Sequence, residues 1–251
     1  MDKKLSQLID DIFTQYREVY GTRRIKEVLL QEYGIITSRK YIAKVMKSLS
    51  LVVKMRRRFK VVTTDSKHNY PIAPNRLQRD FTTYFPNSVY VGDITYIPTA
   101  QGWFYLAVVI DLFSRKVVGW SMDSRMKVNL VNDALKMALQ TRHPPKGLIW
   151  HTDRGSQYAS YAHKDLLEEH GILQSMSRKG DCWDNAVSES FFHSLKTELT
   201  HHEKFQTMAE ANKSIFEYIE VFYNRQRLHS SNQYMSPVKF EEKMLSYEMA
   251  A

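Results

Sequence analysis

Three stretches rich in β-branched and aromatic residues follow one another with little between them: SVYVGDITYIP (88–98), WFYLAVVIDLF (103–113) and KVVGWSM (116–122), separated only by TAQG and SR. Connections this short force each strand back against its neighbour, because a parallel return needs a crossover of a dozen residues or more. An antiparallel meander is the consequence. The periodicity then changes. A helix is expected over about 127–141, with Val128, Val131, Leu135, Met137 and Leu139 partly buried and a stop at His143-Pro144-Pro145. GLIWHTD (147–153) reads as a strand, about 159–169 as a helix ended by Gly171, and ILQSMS (172–177) as a short strand. A long helix begins near Asn185, and an amphipathic one, 208 to about 227, carries Ile215, Tyr218, Ile219 and Phe222 toward the sheet.

Strands separated by helices add to a sheet in parallel. The order β-β-β-α-β-α-β-α therefore describes an α/β protein, and it resembles the ribonuclease H-like fold: a mixed five-stranded sheet with flanking helices on both faces. An all-α module precedes it. Leu5, Leu8, Ile9, Ile12 and Phe13 recur at helical spacing, Ile25, Val28 and Leu29 share the face of a second helix that Gly34 ends, and Ile42, Val45, Met46 and Leu49 line a third. Thr37 or Ser38 can cap that third helix, whose Arg39, Lys40, Lys44 and Lys47 stay outside. Two helices joined through Gly34-Ile35-Ile36, the basic one second, make a helix-turn-helix candidate; a small bundle with a solvated basic face accounts for the same residues. KMRRRFK (54–60) adds Arg56, Arg57 and Arg58 around an aromatic, and the proline-bearing stretch that follows reads as a linker. The expected organisation is a DNA-binding module over 1–60, a linker over 61–86, a catalytic core over 87–205 and a helical extension over 206–251.

Charge follows this division. Residues 1–80 hold 18 Lys or Arg against 8 Asp or Glu, a net of +10, whereas residues 81–251 hold 18 against 19, a net of −1. A basic arm on a neutral body points to a polyanion, with nucleic acid the leading choice. No apolar run is long enough to span a bilayer, and the N-terminus lacks the apolar core of a signal peptide. The single cysteine, Cys182, excludes an intramolecular disulfide and a cysteine zinc cluster, which fits a reducing cytoplasm.

Three carboxylates stand in informative surroundings. Asp93 interrupts a strand between Val91 and Ile94, where a bare charge is costly unless a cation, hydrogen bonds or an arginine compensates it. Asp153 ends the strand GLIWHTD, at the carboxyl end where mixed sheets bind ligands, although an Asp-Gly turn uses the same residues. Glu189 lies on a helix whose polar face continues through His193 and Lys196 while Val187, Phe191 and Leu195 pack; salt-bridging to either basic neighbour is the plain alternative. Converging carboxylates repel, and a pair of Mg²⁺ or Mn²⁺ ions about 3.5–4 Å apart relieves that while serving phosphoryl transfer.

The runs GDITYIPT, HTDRGSQY and GDCWDNAVSESFFHSLKTE, with thirty-five residues between Asp153 and Glu189, closely resemble the DDE transposases of bacterial insertion sequences, which carry a retroviral-integrase-like core. YNRQRLHSSNQYMSPVKF (223–240) resembles that family's C-terminal signature, and the likeness spans about residues 10–240. It implies a catalytic, metal-binding triad of Asp93, Asp153 and Glu189 holding two ions, with metal-dependent cleavage and strand transfer at the terminal inverted repeats of an element. Lys196 is expected to hold a DNA phosphate, and Trp183 to stack on a distorted base or simply pack its loop. The resemblance further implies a downstream-frame product that works in a homo-oligomeric synaptic complex, together with an upstream-frame protein. A DNA-binding regulator without chemistry and a nuclease that cleaves without joining are the alternatives.

Overall fold

The computed structural model describes residues 2–54, 68–178 and 182–250; Arg56, Arg57 and Arg58 lie outside them. The chain opens with three helices: α1 (Lys3–Gln15), α2 (Thr22–Tyr33) and α3 (Arg39–Ser48). Asp2 caps α1, Gly34 ends α2 in the left-handed conformation at φ 66°, and Ser38 caps α3 by accepting from the backbone NH of Tyr41. These caps confine each helix to the span over which its apolar residues face inward. Ile9, Ile12, Phe13, Ile25, Val28, Leu29, Ile42 and Val45 are buried together, while Arg39, Lys40, Lys44 and Lys47 are exposed. Helices α2 and α3 form the helix-turn-helix, and the basic helix is the second.

The sheet follows: β1 (Val89–Thr99), β2 (Gly102–Asp111) and β3 (Val117–Asp123) form the antiparallel meander; α4 (Val128–Arg142) crosses over to β4 (Ile149–Thr152); α5 (Ser156–Ala159) and α6 (Tyr161–Glu169) lead to β5 (Leu173–Met176). The strand order is β3-β2-β1-β4-β5, with β1–β4 and β4–β5 parallel. The helix expected over 159–169 is split. Ser160 adopts an extended conformation and turns its side chain back to accept from the NH of His163, so it ends one helix and caps the next.

Alternation along β1 and β2 sorts two cores. Val89, Val91, Ile97, Leu106, Val108 and Ile110 face one layer, and Tyr90, Ile94, Ala107 and Val109 face α4, α6 and Trp150 on the other. The first layer holds α7 (Ala186–Leu195), α8 (Met208–Phe216) and the N-terminal helices, all in one continuous core. The helix expected from 208 to about 227 is α-helical only to Phe216 and widens to π turns through Tyr223, where Asn224 NH bonds the Ile219 carbonyl. A further helix, α9 (Pro237–Ala250), was not separated out of the C-terminal extension by the sequence pattern. It starts on a proline, and its Glu241, 5 % exposed, accepts from Ser114, Lys116 and Arg142 beside the β2–β3 turn. Among the described residues no helix is long and apolar enough to cross a membrane.

Gly92 and Trp150 set how close β1 and β4 lie. A Cβ on Gly92 would stand 2.2 Å from the Trp150 ring, so the fully buried indole lies directly across the glycine. Its Nε1 donates to His163 Nε2 at 2.8 Å, which leaves His163 Nδ1 protonated toward Asn132 Oδ1 at 2.6 Å. Gly92→Ala should therefore destabilise the fold by about 1–3 kcal/mol in urea titration through overpacking. Burial also lowers His163 from 6.5 to about 4. The unfolded chain takes up a proton near pH 6.5 and the native one does not, so stability is full above that value and falls as pH drops toward 4. Asp111, raised by burial to about 6, works in the opposite direction over part of this window. The difference between wild type and His163→Gln isolates the histidine: the variant should show a shallower acid loss, by up to about 3 kcal/mol.

Candidate active site

Strands β1 and β4 pair over only three residues, Val89 to Val91 against Ile149 to His151. Beyond them β1 continues to Thr99, whereas β4 ends at Thr152. Continuing the register sets Asp153 beside Asp93, at the point where the edge of β1 is no longer covered. Parity gives Asp93 the face of Val91 and Ile97, the side on which α7 packs.

The acids sense one another. Asp93 is raised well above the ordinary carboxylate range, first by burial, then by the charge of Asp153 and less by that of Glu189; the NH of Ile94, donating to Oδ1 at 2.8 Å, and Lys196 pull the other way. Asp153 Oδ1 accepts from Gly155 NH at 2.8 Å, which orients it at the head of the turn into α5. Glu189 is exposed in the first turn of α7, raised by partial desolvation, and makes no ion pair among the described residues, so pairing with His193 or Lys196 does not occur. Among those residues no three Asp, Glu, His or Cys side chains stand close enough to ligate one ion. The structure thus brings Asp93 and Asp153 together and holds Glu189 within electrostatic reach.

Lys196 does not continue the regular face of α7. The helix widens there, with His201 NH bonding the Lys196 carbonyl, and Lys196 Nζ lies 4.5 Å from the centre of the Tyr96 ring. Trp183 falls in the short 3₁₀ turn Cys182–Asn185 that leads into α7. Arg39, Lys40, Lys44 and Lys47 lie exposed on α3.

Both ends of α7 are anchored by residues that spacing alone does not single out. At the front, the buried Asp184 carboxylate receives Arg178 through its NH, Nε and Nη2, Arg79 through Nε and Asn75 through Nδ2, at 2.8–3.1 Å. Those donors hold its pKa well below the usual range. Buried His151 ties the same turn to the sheet: one ring nitrogen meets Ser175 Oγ at 2.8 Å and the other the Asp184 carbonyl at 3.0 Å. At the rear, Arg227 Nε and Nη2 donate to both oxygens of Glu198 at 2.6–3.0 Å, Nη2 also reaches Ser194, and Tyr218 donates to Glu198 at 2.8 Å. Arg24 of α2 approaches Glu198 at 3.8 Å, and Tyr20 accepts from Leu228 NH at 2.8 Å, which locks the N-terminal helices to the same point.

Comparison with known proteins decides the family. An HTH-like domain model matches residues 1–59, and two integrase core domain models match 84–182 and 189–245. The chain is 46 % identical over 250 residues to the insertion element IS600 uncharacterized 31 kDa protein of Shigella sonnei, covering 100 % of this chain and 90 % of that one. It is 45 % identical to the transposase for insertion sequence element IS904 of Lactococcus lactis, covering 95 % and 93 %. The chain belongs to the IS3 family of insertion-sequence transposases. Transposase InsF for insertion sequence IS3A of Escherichia coli is 44 % identical over 93 % of this chain and 81 % of its own length. In fold, this transposase is similar to a cryoEM structure of a simian T-cell lymphotropic virus intasome with a PP2A regulatory subunit, at a TM-score of 0.54 and 15 % identity, covering 93 % of this chain and 74 % of that one.

The Glu198–Arg227 pair is nearly sealed, with side chains 7 % and 6 % exposed. Removing one partner strands the other charge, so Glu198→Ala or Arg227→Ala should cost about 3–5 kcal/mol in urea unfolding, whereas Glu198→Met with Arg227→Met should cost less than either single change.

Proposed function

We propose that this transposase cuts and rejoins DNA strands at the ends of its element, using Asp93, Asp153 and Glu189. The observation that carries this reading is the meeting of Asp93 and Asp153 where β4 stops short of β1, with Glu189 of an anchored helix within electrostatic reach of Asp93. Two carboxylates side by side, Asp93 accepting from the NH of Ile94 and Asp153 from that of Gly155, form a hard-oxygen donor set that suits Mg²⁺ or Mn²⁺. Asp93, Asp153 and Glu189 would hold such ions. When bound, two divalent ions supply Lewis acidity and charge compensation for in-line displacement at phosphorus.

The chain's own residues do the positioning. Lys196, beside Tyr96 and electrostatically coupled to Asp93, is placed to take a phosphate of the reacting strand. Arg39, Lys40, Lys44 and Lys47 of α3, with Arg56, Arg57 and Arg58, hold end DNA through the module of residues 1–60, and Trp183 stacks on a distorted base. The core over 87–205 carries the chemistry, and the extension over 206–251 braces it. Two element ends must meet for joining, so the working species is a homo-oligomer on DNA, assisted by an upstream-frame protein.

Glu189→Gln and Asp93→Asn should each abolish cleavage and joining of labelled terminal-repeat duplexes in Mg²⁺ or Mn²⁺, resolved on denaturing gels, and leave duplex binding largely intact. Persistent products in either variant would remove that acid from the site; binding with no products from wild type, even with the upstream partner added, would favour a regulator.

A further inference from the structure

We propose that Arg76, Arg79, Arg154 and Arg178 form a phosphate-binding track that leads a DNA strand along the carboxyl ends of β4 and β5 into the acid centre. This rests on the reading above that the chain acts on DNA. The four come from three separate segments and are gathered by specific bonds. Arg154 follows Asp153 directly and donates through Nε to the Ser177 carbonyl. Arg178 is next in line and shares the buried Asp184 with Arg79. Arg76 donates through Nε to the Gln174 carbonyl at 3.3 Å, and its backbone NH bonds Ser175 Oγ at 2.9 Å, the hydroxyl that also meets His151. One contiguous rim results, starting one residue from a candidate catalytic acid.

The chemistry of the anchoring is informative. An arginine used only as a strut is best matched by a carboxylate, which cancels its charge as well as its hydrogen bonds. Arg76 and Arg154 instead rest on neutral carbonyls and make no ion pair among the described residues. Among the described residues no carboxylate therefore cancels their charge. Arg76 is exposed, and the Arg79 and Arg178 side chains are 44 % and 53 % exposed even while bound to Asp184. Anchoring at Nε fixes each guanidinium plane in advance, which removes much of the rotamer entropy that a phosphate contact otherwise costs. Arg76 and Arg79 also belong to the stretch expected to be a mere linker. Here that stretch is bonded to β5 and to the turn before α7, so it carries part of the basic excess of the first 80 residues to the active centre.

The test measures binding of the full-length chain to two fluorescent duplexes of equal length, one ending in the terminal repeat and one of unrelated sequence, across a NaCl series. Each phosphate contact contributes about 0.9 to the slope of log affinity against log salt. Arg76→Gln and Arg154→Gln should each reduce that slope by about 0.9, and the pair by about 1.8, equally on both duplexes because phosphate contacts carry no sequence information. An unchanged slope in the folded double variant, while Lys40→Gln with Lys44→Gln lowers it, overturns the track. Should Arg154→Gln lose its cooperative melt, Arg76→Gln decides alone, since the backbone of Arg76 rather than its side chain bonds Ser175. Glu189→Gln keeps the two ideas apart: it removes strand chemistry without touching the slope. A reduced slope in a chain that never cuts DNA would support the track and sink the proposed chemistry; normal cutting with an unchanged slope would do the reverse.

Discussion

Three residue pairs of parallel sheet, Val89 to Val91 against Ile149 to His151, decide where Asp93 and Asp153 meet. Were β4 longer, its backbone would cover the edge of β1 and Asp93 would sit inside a closed ladder. Because β4 stops at Thr152, the two strands part and two carboxylates stand at the opening. The close approach needs Gly92, since the Trp150 ring occupies the space of any side chain there. It also needs His151, which ties the end of β4 to Ser175 on β5 and to the Asp184 carbonyl before α7.

The third acid is held differently. Glu189 rides on α7, and α7 is fastened at its head by Asp184 and beyond its tail by Glu198. Buried ion pairs are weak sources of net stability but strong sources of definition, because a displaced partner leaves an uncompensated charge in the interior. Arg24 and Tyr20 join the N-terminal helices to the Glu198 end of this helix, and Arg17 reaches Glu217 at 2.6 Å. The helices that carry the basic face of Arg39, Lys40, Lys44 and Lys47 and the helix that carries Glu189 are thereby parts of one packed body. The C-terminal signature has a similar rationale. Asn224 accepts from Val117 NH and donates to its carbonyl, Arg227 clamps Glu198, and Asn232 donates to the Ser114 carbonyl. Its polar residues are internal fasteners.

The strands of the meander, α4 and the helix-turn-helix were legible because each rests on local signals: alternation for a half-buried strand, a 3.6-residue apolar period, and caps at Ser38 and Gly34. What escaped lies where tertiary contacts override those signals. The break at Ser160 depends on one side-chain hydroxyl turning back to the His163 NH, a choice that a helical pattern hides. The π turns from Lys196 and from Glu217 face each other across Glu198, Tyr218 and Arg227, and no residue within either run announces a widened helix. Helix α9 has modest periodicity of its own and is held by Glu241 against basic residues more than a hundred positions earlier in the case of Lys116.

The sequence by itself determined the architecture and the family, and it singled out the three acids as candidates, because periodicity, short connections and motif spacing are properties of neighbouring residues. Only the tertiary structure decided that Asp93 and Asp153 share an opening, that Asp184 and Glu198 anchor the helix between them, and that Arg76 and Arg79 turn from linker residues into a rim beside Asp153. Those outcomes depend on pairings between residues far apart in the chain, 208 positions in the case of Tyr20 and Leu228. Which distant donor meets a buried acceptor is a matter of packing, and packing exists only once the chain has closed on itself.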